Sequence, residues 1–311
     1  MELQGVYNQL GILFLTILIG YFLGKIKLIT PTATQIFSKY VLMVALPALL
    51  ITGMRIPFTA EKLHTALFIL IFSVPCYGLT YLVGMLTAKA LTKDTCKQAV
   101  FNFGIVFSNC AFLGFPVLQA LYGKEAIFYA AIYNITFNIL LYTLGIKIMA
   151  TKDLKKKFNL KMVFNPGVIA GIVGFILFIT AVQLPQFLIG TIDSIGNTCV
   201  PLSVLTIGAM LSQLPLQRMF NNLSIYFLSA VRLIIMPLLI LVLIKYVLGI
   251  ENMWLIAIPV VTAGMPIATN TALMAMEYGN DAPLASQTIL ISTLFSCITI
   301  PLLAYVLQYF F

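Results

Sequence analysis

The 311-residue sequence predicts an all-α polytopic membrane protein, with ten transmembrane helices in a five-plus-five inverted repeat and crossed, broken fourth and ninth helices. Three observations carry that prediction. Apolar residues make up 61% of the chain and charged residues 9%, with mean hydropathy +1.05, whereas an ordinary soluble domain is roughly 45–50% apolar and about 25% charged. The few charges cluster between apolar runs longer than the ~18 residues that mark a spanning helix. Two sequence pairs recur at nearly equal offsets on either side of a basic central connection.

The same patterns exclude other classes. A transmembrane β-barrel shows ~10-residue segments of alternating polarity, but both faces of each run here are apolar. Cys76, Cys96, Cys110, Cys199 and Cys297 are scattered without a CxxC, which argues against a disulfide framework or a metal site. The amino-terminal run lacks a basic leader and a small-residue cleavage site, so the first helix is expected to stay. The formal charge of +9 sits in short connections between spans, which makes nucleic acid an unlikely partner.

The spans follow in order. The first, 5–24, is closed by Lys25 and Lys27; the second, 35–54, carries Pro47 and ends at Arg55. The third, 63–88, runs from Lys62 to Lys89, and the fourth, 98–121, from Lys97 to Gly123 and Lys124. The fifth, 125–149, reaches the only long hydrophilic connection, 150–165. Asn165-Pro166-Gly167 opens the sixth, 166–184; the seventh, 187–212, carries Pro201. The eighth, 223–248, the ninth, 253–277, and the tenth, 283–309, complete the set. The chain thus divides into a first repeat (1–149), a basic loop (150–165) and a second repeat (166–311).

Ten spans place both termini on one side. With the amino terminus outside, the inward connections carry Lys25, Lys27, Lys39, Lys89, Lys93, Lys97, Lys147, Lys152, Lys155, Lys156, Lys157, Lys161 and Arg218. The outward ones carry only Arg55, Lys62, Lys124 and Lys245. The positive-inside rule then puts both termini outside the cell membrane and the basic loop in the cytoplasm. Five spans per half give the halves opposite orientations. Gln119-Ala120-Leu121-Tyr122-Gly123 matches Ala275-Met276-Glu277-Tyr278-Gly279 at an offset of 156, and the segment around Pro47 matches that around Pro201 at 154. Inverted repeats of this kind enclose a midplane site in secondary transporters.

Polar and helix-breaking residues concentrate in 102–116 and 259–271. Pro removes a backbone donor and Gly lowers the cost of unwinding, so both helices should break near mid-membrane. Freed backbone groups there need burial in protein or a wet cavity, which two crossing breaks share. Amino-terminal half-helix ends at that point would favour an anion. Asn109 and Asn270 read as site-lining residues, while Asn134 and Asn138, four apart on one helix face, fit either site-lining or interhelical bonding. Arg232, deep in the eighth span, reads as a charge partner of Asp193 or a counter-ion for an anionic substrate. Asp193 and Glu277 lie near span ends, and His64 is assigned no role.

Asn109-Cys110-Ala111-Phe112-Leu113-Gly114-Phe115-Pro116, followed by Leu118 to Gly123, resembles the fourth-helix signature of the auxin efflux carrier family. Met265-Pro266-Ile267-Ala268-Thr269-Asn270, Glu277 to Asp281 and Asn165-Pro166-Gly167 extend that resemblance over the whole chain. It implies a fold like that of bile acid/sodium symporters, with helices 1, 2, 6 and 7 as scaffold and helices 3–5 and 8–10 as a mobile transport domain. It also implies a substrate where the fourth and ninth helices cross. By matching position, Asn109, Gly114 and Pro116 meet Pro266, Thr269 and Asn270, with Asn109 as carboxylate ligand; Cys110 and Thr271 complete the candidate set. Bacterial members are described as malate or malonate permeases. The acidic cluster of sodium sites is not evident, and the short central loop gives no ground for regulation of the kind plant members have.

The expectation is therefore a secondary active transporter of small organic anions, with no cofactor and no catalytic residue; HExxH, GxSxG and paired mid-span carboxylates are all missing. A channel, or a transporter of amino acids or aromatic acids, is the alternative, ahead of an intramembrane enzyme. The expected partners are the organic anion and the lipid bilayer; a coupling proton or sodium ion and a homodimer are left open.

Overall fold

A computed structural model describes residues 3–151, 164–213 and 222–310. Lys152, Lys155, Lys156, Lys157, Lys161 and Arg218, assigned above to the cytoplasmic side, lie outside the described residues. The helices are α1 (Leu3–Lys25), α2 (Pro31–Met54), α3 (Ala60–Leu91), α4 (Thr95–Val106), α5 (Cys110–Tyr122) and α6 (Lys124–Met149). They continue as α7 (Pro166–Thr180), α8 (Gln186–Ser212), α9 (Leu223–Val247), α10 (Met253–Ala263), α11 (Asn270–Glu277) and α12 (Ala282–Gln308). Seven of these are long and apolar enough to cross a membrane: α1, α2, α3, α6, α8, α9 and α12. The predicted spans 98–121, 166–184 and 253–277 fall instead on shorter pieces, α4 with α5, α7, and α10 with α11.

Local chemistry sets these bounds. Thr30, Asp94, Asn165, Asn222, Asn252 and Asp281 each accept a backbone N–H at the start of a helix, satisfying donors that the helix leaves open. The sixth span ends four residues earlier than predicted because Ala181 turns left-handed at φ +49° ahead of Pro185. Three π-turns, Val41–Ala45, Cys110–Gly114 and Val231–Ile235, each end two residues before a proline: Pro47, Pro116 and Pro237. Widening the turn relieves the clash of the ring with the preceding carbonyls while keeping the helix continuous. Outward-facing Ile12, Leu15, Phe22, Ile71, Leu223 and Ile298 are large and exposed, a surface suited to lipid.

The chain forms two compact units, whose limits fall within α3 and α6 and at the start of α5. The first comprises Met1–Phe68, Ala111–Ile135 and Phe164–Leu214. Its centre is the pair α1 and α8, which close on glycine: Gly20 lies against the backbone carbonyl of Leu205, and Gly208 against that of Ile17. Without a hydrophobic force between helices in lipid, such backbone approach is what holds them. Gly208→Val is expected to destabilise the protein by about 1–3 kcal/mol through overpacking. Gly190→Val, on the same helix with nothing within 4 Å, should change the thermal midpoint in detergent much less; equal midpoints would refute the packing role.

The second unit comprises Ile69–Cys110, Thr136–Val163 and Pro215–Phe311. Here α9, α10 and α12 pack together with α4 and α11. After α11, Gly279 takes φ +67°, and Asn280 ties this turn to the end of α6, donating to the Met149 carbonyl at 2.7 Å and accepting from Thr151 at 2.7 Å.

Candidate functional site

The second unit contains both predicted breaks, and they pair. Helix α4 ends at Val106, and Phe107 is extended. Ser108 forms an isolated antiparallel bridge with Ile267. The Asn109 N–H donates to the Pro266 carbonyl at 2.8 Å, and the Ala268 N–H donates to the Phe107 carbonyl at 3.1 Å. The Ile267 N–H donates to Ser292 Oγ on α12 at 3.1 Å. Backbone groups freed by unwinding in a buried place therefore find one another, as membrane depth demands. Close packing requires small residues: a side chain on Gly104 would meet Ile267 at 3.1 Å.

Arg232 satisfies a second set of freed groups. It is 1% exposed and reaches three carbonyls: Nε donates to Met265 at 3.0 Å, Nη1 to Ile105 at 2.6 Å and Nη2 to Thr262 at 3.2 Å. Ile105 is in the last turn of α4, and Thr262 in the last turn of α10. Carboxyl ends of helices carry partial negative charge, so one guanidinium fork balances two of them at once. Asp193, in the first unit, takes different partners: Arg55 at 3.1 Å and the Thr52 hydroxyl at 2.8 Å. The sequence reading preferred Arg232 and Asp193 as a pair; the structure gives each its own set of contacts.

The other candidates fall as follows. Asn109 is 3% exposed, Cys110 lies 3.0 Å from the Ser108 hydroxyl through its sulfur, and Pro266 takes part in the bridge. Thr269 precedes α11, whose first residues are Asn270 and Thr271; the Thr271 hydroxyl is fully buried with no hydrogen-bond partner among the described residues. A cavity of about 290 Å³ reaches Asn270 between α6 and α11, lined also by Tyr142, Glu277 and Tyr278. Gly114 and Pro116 belong to the first unit, where Gly114 closes the π-turn of α5 and Pro116 sits in the turn that follows. Asn134 and Asn138, both buried, lie one turn apart on α6. Sequence reasoning missed Ser292, whose pattern in an apolar run gives no signal, and the role of Arg232 toward carbonyls.

A chain of apolar spanning helices, two paired breaks and a buried cation with no catalytic constellation is a membrane transport protein in kind. The family profile described as membrane transport protein matches residues 6–304. The chain belongs to this family, that of the auxin efflux carriers. A relative from Methanothermobacter thermautotrophicus, named "Uncharacterized transporter", is 27% identical over 94% of this chain and 95% of its own length. One from Rhizobium meliloti, named "Putative malonate transporter", is 24% identical over 96% and 93%. The Escherichia coli K12 protein named "Uncharacterized transporter YfdV" is 25% identical over 93% of each.

Proposed function

We propose that the protein is a secondary active transporter that moves small organic anions, malonate or malate among them, across the cytoplasmic membrane of a bacterium by alternating access. The observation that carries this reading is the antiparallel pairing of two unwound segments, 107–109 and 266–268, which supports a buried polar centre of the kind a carrier needs. The proposed architecture is ten spans in a five-plus-five inverted repeat with both termini outside. Helices 1, 2, 6 and 7 form the scaffold, and helices 3–5 and 8–10 move. The repeat draws support from Gly123 and Gly279, which take left-handed φ of +74° and +67° just after α5 and α11. Asn109 binds the substrate carboxylate; Asn270, Thr269 and Thr271 contact it from the other break. Cys110, Gly114, Pro116 and Pro266 shape the walls, and Asn134 and Asn138 are further contacts on α6.

The name of the Rhizobium relative makes malonate the first probe. Purified protein in liposomes is expected to take up labelled malonate or malate faster than protein-free liposomes, with saturation. Uptake no faster than leak for those two and for a wider panel of carboxylates would sink the reading. Repeating the assay under imposed proton and sodium gradients identifies the coupling ion, and the mass of the purified particle tests for a homodimer.

A further inference from the structure

Away from the breaks, the second unit holds a cavity of about 320 Å³ between the end of α3, the first turns of α4 and the end of α6. Lys89, Lys147, Thr95, Gln98 and Asn102 line it. The two lysines are exposed and keep their charge outward, whereas Asn102 is 9% exposed, and its Oδ1 has no hydrogen-bond partner among the described residues. Leaving a buried amide oxygen unpaired costs about 1–3 kcal/mol, which a ligand or water in the cavity would recover. The amide has its place because residue 84 is glycine; an added Cβ there would come 2.5 Å from Asn102 Oδ1. The only acidic group at this end of α4, Asp94, spends its carboxylate on the N–H groups of Cys96 and Lys97 at 2.9 and 3.4 Å. Cations thus stand on one side of the cavity, and an amide that both donates and accepts stands deeper in.

We propose that this cavity is a second anion-binding site, for a short dicarboxylate or hydroxycarboxylate. One carboxylate lies between Lys89 and Lys147, and the second polar group reaches Asn102. The proposal rests on the organic-anion reading above, and it places the site on the side to which Lys89 and Lys147 are assigned there, the cytoplasmic one. Asn102 stands five residues before Phe107, about 8 Å along the helix axis. An anion held in the cavity is therefore staged close to the break.

Calorimetry on the full-length protein in detergent, with malonate as ligand and acetate as comparison, tests the site. Wild type is expected to show two classes of malonate binding. Lys89→Gln with Lys147→Gln should weaken one class about tenfold at moderate salt and leave the other; Asn109→Ala should do the reverse. Asn102→Ala should weaken malonate more than acetate, because only the longer ion reaches the amide. An isotherm of the double lysine variant identical to wild type overturns the second site. So does stronger competition by inorganic phosphate than by malonate, which would assign the cavity to a phosphate group. A lysine-dependent class without an Asn109-dependent one would instead sink the substrate site proposed above and leave this one standing.

Discussion

Arg232→Met is expected to be among the most destabilising single substitutions in the chain. Met matches the length of the side chain but removes the donors to Ile105, Thr262 and Met265 together with the buried cation. Each carbonyl left unpaired at depth costs about 1–3 kcal/mol, so the loss is roughly 3–6 kcal/mol after partial relaxation. For a chain of this size that is on the order of 10 °C in thermal midpoint. Arg232→Lys keeps the charge but offers a point donor in place of a planar fork, so its midpoint should fall between the two. The breaks lose their clamp in the Met variant, so substrate affinity should fall with stability. A Met variant melting within about 2 °C of wild type, with unchanged affinity, would show that the three contacts do little.

Much of the helical frame was legible in the sequence, because charge and Pro punctuate apolar runs wherever a helix must end. Lys25, Arg55, Lys89 and the Asn165-Pro166 pair each stand at or within a few residues of a helix end. The two breaks were legible for a related reason. A Pro and Gly cluster in a spanning segment has few outcomes other than unwinding, and Phe107 and Gly264 to Thr269 are where α4 and α10 give way.

Partners were harder. Arg232 was visible as an ionisable residue in lipid, and such a residue invites a carboxylate as its partner. Its contacts are carbonyls 127, 30 and 33 residues away, acceptors that exist only once both helices have broken and met. Asp193 was visible too, but its partner Arg55 had been counted as a loop cation that sets topology. The π-turns before Pro47, Pro116 and Pro237 also escaped notice, because a kink and a widened turn share one sequence signal. Asn102 carried no mark in the sequence; its meaning comes from Gly84, on another helix, and from the cavity beside it.

Asn109→Ala separates binding from folding. The contact that holds this break is made by the Asn109 backbone, whose N–H donates to Pro266, and alanine keeps that bond. The thermal midpoint should therefore move by only a few degrees, as expected for about 1 kcal/mol. Binding should suffer far more. A hydrogen bond to a carboxylate is worth roughly 1.5–3 kcal/mol, which corresponds to a loss of about 10- to 100-fold in affinity for malonate. Asn109→Asp sharpens the test, because it keeps the shape and reverses the electrostatics. A buried carboxylate there would repel an anionic substrate at neutral pH, so binding should be weaker than in the alanine variant. It should recover in part as the pH falls and the new group takes a proton. If both variants bound malonate as wild type does, the carboxylate would have to lie elsewhere. The cavity at Asn270, with Tyr142 and Glu277, would then be the next place to look.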